Sequence, residues 1–281
     1  MFQIRYLPNA RFFSQKKSKK SPTIARKAYP KDDDTTSKPI PSPVDDPVSP
    51  LESDSVWDAC KILTQLWAIV LPLGYAGVPL AARALSHLPG GPSFAAFGGE
   101  ALAFAAILIF LRRKDFKLQF EFNLKSVAYG LAAGIAALVV NQILFPGGGG
   151  GGGGGDDGAA TTTATDVAAI VLSNSNPAAT LALFTASSLL APATEEIIYR
   201  SFFLGSLTRC GVSPVIAVCA SAVAFSAAHF QPDAFLQLTL VGVCLGSAAV
   251  ACKGNVLAPF VGHATYNSAL FLNLLLSLRE K

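Results

Sequence analysis

Six stretches of this chain carry no Asp, Glu, Lys or Arg: 62–82, 126–155, 167–194, 210–232, 234–252 and 254–278. A helix climbs about 1.5 Å per residue, so about 20 apolar residues cross a hydrocarbon core about 30 Å thick. Most of these stretches reach or approach that length. A soluble helix of such length turns a charged face to water, and these have no charge to turn. The overall hydrophobic content of 51% does not reveal this, because it is close to that of ordinary globular chains. The expected fold class is therefore all-α, a multi-pass transmembrane helical bundle of about seven or eight helices.

The first span is expected at 61–82, with Trp57 and Trp67 near its start, where amphipathic rings favour the headgroup zone, and with Pro72 and Pro79 kinking it. A second span at 94–111 carries Glu100, and a third at 126–145 ends at Pro146. Four more apolar stretches follow at 178–207, 213–230, 234–251 and 256–276. Between the second and third spans, Arg112, Arg113, Lys114, Lys117 and Lys125 outnumber Asp115 and Glu121. That surplus marks a cytoplasm-like side. Two spans separate this loop from the chain preceding the first, so both are expected on the same side.

The net charge of +4 comes mostly from residues 1–31, which hold nine Lys or Arg and no acid. From Val56 onward twelve basic residues face eleven acidic ones, a balance that gives no reason to expect a nucleic-acid partner. The basic segment has Ser residues but no apolar run of signal-peptide length, so it reads as a transit peptide, with a disordered tail as the alternative. Residues 32–55 are acidic and rich in Pro and Ser, as in a linker that cannot bury enough surface to fold. N-terminal transmembrane helices are then expected over 56–146, a flexible Gly/Thr insertion over 147–165, and a helical membrane domain over 166–281. The insertion contains nine consecutive glycines at 147–155. No Lys-Ser or Lys-Thr follows them, so they are not a phosphate-binding loop. Cys60, Cys210, Cys219, Cys244 and Cys252 show no CxxC pair and read as small buried apolar residues.

Against this background a few polar residues stand out, because a charge at the bilayer centre costs at least about 2.5–3.5 kcal/mol. Glu195, Glu196 and Arg200 share one apolar stretch. Glu196 and Arg200 are four apart, on one helix face, and can pair. Glu195 is turned about 100° from its neighbour and has no local partner. The bland alternative is a solvated patch at the membrane surface. Two of the three histidines, His229 and His263, lie in apolar stretches on separate expected helices, and His263 and Asn267 are spaced to share a face. Imidazole and carboxylate together offer proton transfer and metal ligation near neutral pH. His87, beside Pro89 and Gly90, reads as a surface residue.

The order Glu-Glu-x-x-x-Arg at 195–200, Phe-x-x-x-His at 225–229 and His-x-x-x-Asn at 263–267 resembles the CAAX protease and bacteriocin-processing family of intramembrane endopeptidases, over about 183–275. Pro192, Gly242, Gly246 and Pro259 also fall where such proteins commonly carry Pro or Gly. The chain departs from the family's Glu-Glu-x-x-Phe-Arg-Gly pattern in having Tyr199 before the Arg and Ser201 after it. The resemblance implies peptide-bond hydrolysis in a polar cavity. Glu195 would be general base, His229 would position or activate the water or bind a metal, and His263 with Asn267 would complete a metal site or stabilise the oxyanion. Glu196 and Arg200 would support the site. Zinc held by Glu195, His229 and His263 and a metal-free water activated by Glu and His both stay open. The expected partners are a protein or peptide substrate within or near the membrane and the lipid bilayer. A plastid membrane fits the N-terminal segment best, with mitochondrial or endoplasmic reticulum membrane as alternatives. Two other classes compete: a non-catalytic scaffold or immunity-type protein of this fold, and a transporter relaying protons through Glu100, Glu195 and His229. The second is weakened by the lack of an internal repeat.

Overall fold

Seven helices account for the described residues, which in this computed structural model are 55–145 and 176–279. The expected transit peptide at 1–31, all but the last residue of the linker and the glycine-rich insertion lie outside them. The helices are α1, Val56–Ala84; α2, Gly91–Arg113; α3, Leu124–Leu144; α4, Pro177–Arg209; α5, Pro214–Ala227; α6, Phe235–Ala251; and α7, Leu257–Arg279. There is no strand among the described residues. The first four are long and apolar enough to cross a membrane, and α5 and α6 are shorter apolar helices. The last has the length, at 23 residues, but His263, Tyr266, Asn267 and Asn273 dilute its apolar character. The chain is a multi-pass membrane protein.

The helix starts follow from local chemistry. Ser55 caps α1 by accepting from Asp58 N at 3.2 Å. Asn123 and Asn176 cap α3 and α4 in the same way, at 2.7 and 3.0 Å. Each cap satisfies one of the backbone donors that a helix start leaves orphaned. Pro72 does not break α1. The helix runs on through it, and a π-helical turn, Leu73–Gly77, follows directly, with Val78 N donating to Leu73 O. In α4, two more π-helical stretches, Ala186–Leu190 and Ile197–Leu204, flank the carboxylate pair.

The expectation for the fifth stretch needs correcting. A helix was expected to reach Phe230, but α5 ends at Ala227. Residues 228–230 form a turn in which Phe230 adopts a left-handed φ of 51°. Pro232, two residues on, cannot continue a helix. His229 therefore sits on a turn beyond a helix end.

Large apolar side chains face outward as well as inward, and a set of polar ones is buried. Leu80, Ile135, Ile143, Val215 and Leu236 are exposed, whereas Ser93, Ser126, Thr194, Ser221 and Asn255 are buried. Water would invert that order; a hydrocarbon surround permits it. The main core gathers Leu63 and Leu66 of α1, Ile107 and Leu111 of α2, Ile198 and Phe202 of α4 and Phe225 of α5. On the other side, α3 meets α7 through Gly130 and Gly134: a Cβ on either would strike the carbonyl oxygen of Ala258 or Gly262. Asn255, just before α7, fastens the 116–123 connection. Its Nδ2 donates to Glu121 O at 2.7 Å and to Ser126 Oγ at 2.9 Å, and its Oδ1 accepts from Glu121 N at 3.2 Å. None of the five cysteines forms a disulfide; four are partly buried and Cys219 is exposed, so buried is too strong a word for them.

Candidate active site

The site is built where the middle of α4, the turn after α5 and the first half of α7 meet. Glu196 points inward and is wholly buried, as is Arg200 one turn later. Arg200 Nη1 donates to Glu196 Oε1 at 2.9 Å, and its Nη2 to the carbonyl of Gly242 on α6 at 3.3 Å. The guanidinium also lies 4.5 Å from the ring centre of Phe225, a favourable cation–π placement once desolvated. His263 Nδ1 reaches the same Oε1 at 2.7 Å. One carboxylate oxygen thus serves two donors, and Glu196 Oε2 and Arg200 Nε find no hydrogen-bond partner among the described residues. The solvated-patch alternative does not hold for this pair.

Glu195 behaves differently. Its side chain is about a quarter exposed, with Oε1 4.0 Å from His229 Nε2 and Oε2 3.7 Å from His263 Nε2. Each imidazole thus addresses a different oxygen of one carboxylate. The opposite ring nitrogens are tied down: His229 Nδ1 lies 2.8 Å from Phe225 O, and His263 Nδ1 is held by Glu196. A carbonyl and a carboxylate can only accept, so both Nδ1 atoms carry the hydrogen, and in the neutral rings both Nε2 atoms present a lone pair toward Glu195. The edge of Phe225 packs on both imidazoles, with centroids 4.6 and 5.7 Å away.

Glu195, His229 and His263, widely separated in sequence, are brought together. Asn267 is anchored instead to α4: its Nδ2 donates to Ser187 O at 2.8 Å, which leaves its second amide hydrogen for another acceptor. Two Nε2 atoms and a carboxylate are donors of the kind catalytic zinc takes. Metal bonds of about 2.0–2.1 Å would set tetrahedral ligand edges near 3.3 Å, shorter than the 3.7 and 4.0 Å found here. As placed, no three His, Cys, Asp or Glu side chains among the described residues form a metal cage.

Residues 177–269 match the family described as type II CAAX prenyl endopeptidase Rce1-like. The chain carries an Rce1-like domain. No curated protein and no solved structure matches the chain. All six residues picked from the sequence fall within the Rce1-like domain, which starts and ends about six residues before the stretch read from sequence. Together with the apolar helices, the match points to an intramembrane endopeptidase of the CAAX-processing class that takes a peptide at a membrane.

Several groups around Glu195 come from outside the Rce1-like domain. Trp67 and Tyr75 of α1 are among them. Trp67 Nε1 donates to Tyr199 Oη at 2.9 Å, and Tyr75 touches the His229 turn. The sequence offers Glu100 as an intramembrane acid, but nothing in it pairs Trp67 or Tyr75 with residues more than 130 positions away.

Proposed function

We propose that this chain is an intramembrane endopeptidase that cleaves a peptide bond with a water activated by Glu195. The observation that carries this reading is the placement of two Nδ1-anchored imidazoles, one toward each oxygen of a partly exposed carboxylate. A water at hydrogen-bonding distance of about 2.8 Å from Glu195 and from His229 Nε2 would subtend about 90° between them, close to a water's own geometry. Glu195 takes one proton as the water adds to the scissile carbonyl, while His229 Nε2 accepts the other hydrogen bond and aims the oxygen. Glu195 then returns that proton to the leaving amine. The second amide hydrogen of Asn267 stabilises the oxyanion, joined by His263 Nε2–H when that ring carries a hydrogen on both nitrogens against the Glu196 carboxylate.

A second reading rests on the same pair of Nε2 atoms: Glu195, His229 and His263 close by a few tenths of an ångström around zinc, which would supply a Lewis acid for the carbonyl. Metal content of the purified protein, compared with His229→Ala, separates the two. The N-terminal composition supports an organelle membrane, a plastid's in preference to a mitochondrion's, which a fluorescent fusion of residues 1–55 tests by import.

The domain's description makes a prenylated C-terminal peptide the first substrate to assay. Glu195→Gln is nearly isosteric and is expected to lower kcat by about 10²–10⁴-fold with unchanged expression and elution. Full cleavage by that variant would overturn the proposal. A scaffold would keep its binding partners in it, and a transporter would lose proton coupling with no cleavage to lose.

A further inference from the structure

The Rce1-like domain places His229 on a turn, where a catalytic imidazole has less support than on a helix. The backbone there is past the last intrahelical hydrogen bonds of α5, and the carbonyls of a helix end need donors from elsewhere. His229 N still donates to Ser226 O and Phe230 N to Ala227 O, at 3.2 Å each. Tyr75 meets the carbonyls of Ala228 and His229. Its Oη lies 2.8 Å from His229 O and 3.1 Å from Ala228 O, so one phenolic hydrogen is shared between them. Its ring meets Phe230 edge-on, at 5.3 Å and 88°. That contact buttresses a bulky residue with φ of 51°, a conformation such side chains adopt only when their surroundings fix it. Tyr75 sits in the middle of the π-helical turn Leu73–Gly77. A π-helical insertion changes the angular spacing of the residues in it and after it, so this turn also sets where Tyr75 faces.

We infer that Tyr75 is a positioning residue for the reaction: its hydroxyl fixes the Ala228–Phe230 turn and through it aims His229 Nε2 at Glu195. The inference rests on the endopeptidase reading for its effect on turnover, but not for its effect on the imidazole. An α1 residue far outside the Rce1-like domain thereby sets the geometry of that domain's catalytic pair.

The chain has only three histidines, so ring ¹⁵N spectra of histidine-labelled protein in detergent are simple to assign, with His229→Gln identifying one set. In Tyr75→Phe, which keeps the ring contact and loses only the hydroxyl, the His229 signals are expected to move from a single-tautomer pattern toward averaged values. Those of His263 should stay in place. Phe230→Leu, which removes the ring contact alone, should leave the His229 tautomer as in the wild type. Against a prenylated peptide, Tyr75→Phe should lower kcat by about 10- to 100-fold with KM unchanged. Unaltered His229 signals in Tyr75→Phe overturn the inference whatever the turnover. Loss of monodisperse elution in that variant overturns it too, because the hydroxyl would then be holding the fold. A moved His229 signal in a protein whose wild type cleaves nothing sinks the endopeptidase reading and leaves the positioning role standing.

Discussion

Glu196 Oε1 is the most heavily used atom of the site, accepting from Arg200 and from His263 in a region without water access. Removing one member of a buried pair leaves the other charge uncompensated, at a cost of about 3–5 kcal/mol, whereas replacing both is far milder. Glu196→Gln should therefore destabilise the protein by that amount in a reversible unfolding titration. Glu196→Gln with Arg200→Met should recover most of the stability and none of the cleavage, because His263 would still lack its carboxylate. The four-residue spacing of Glu196 and Arg200 makes the pair legible in the sequence. The third partner is not legible, because no local pattern says which of two histidines arrives from a helix 67 positions away.

At the scale of the elements, the uncharged stretches foretell every helix but α2, which carries Glu100 and shows instead as an apolar run around it, since lipid forces each spanning segment to satisfy its own backbone. Their ends shift by a few residues, because caps at Ser55, Asn123 and Asn176 decide them. The placement of His229 was not legible: apolar composition continues past Ala227 while Pro232 stops the helix short of it. Helix pairing is equally hidden, apart from the small residues that allow it. Gly130 and Gly134 let α3 approach α7, the helix that carries His263 and Asn267. Gly134→Val should push the two apart and lose the monodisperse species on gel filtration, while Gly98→Val, where a Cβ meets nothing, should elute as the wild type does.

For the whole molecule, the order of polar and apolar groups explains how a cluster of acid and imidazole side chains persists among lipid-facing helices. The buried hydroxyl, amide and charged groups converge on the inside, and hydrocarbon meets leucine and isoleucine on the outside. The Rce1-like domain supplies the acid and both imidazoles, while α1 closes around them with Trp67 and Tyr75. Deleting residues 1–146 should therefore abolish cleavage even where the remaining helices still insert, as measured by activity and membrane recovery of the shortened protein.

The ties between Tyr75 and the turn at 228–230, and between Trp67 and Tyr199, are non-covalent; the covalent route between these groups runs through nine glycines. Two polypeptides severed within 147–155 thus retain every hydrogen bond described between the halves. Produced in one membrane they should reconstitute cleavage by complementation, and each fragment made by itself should be inert.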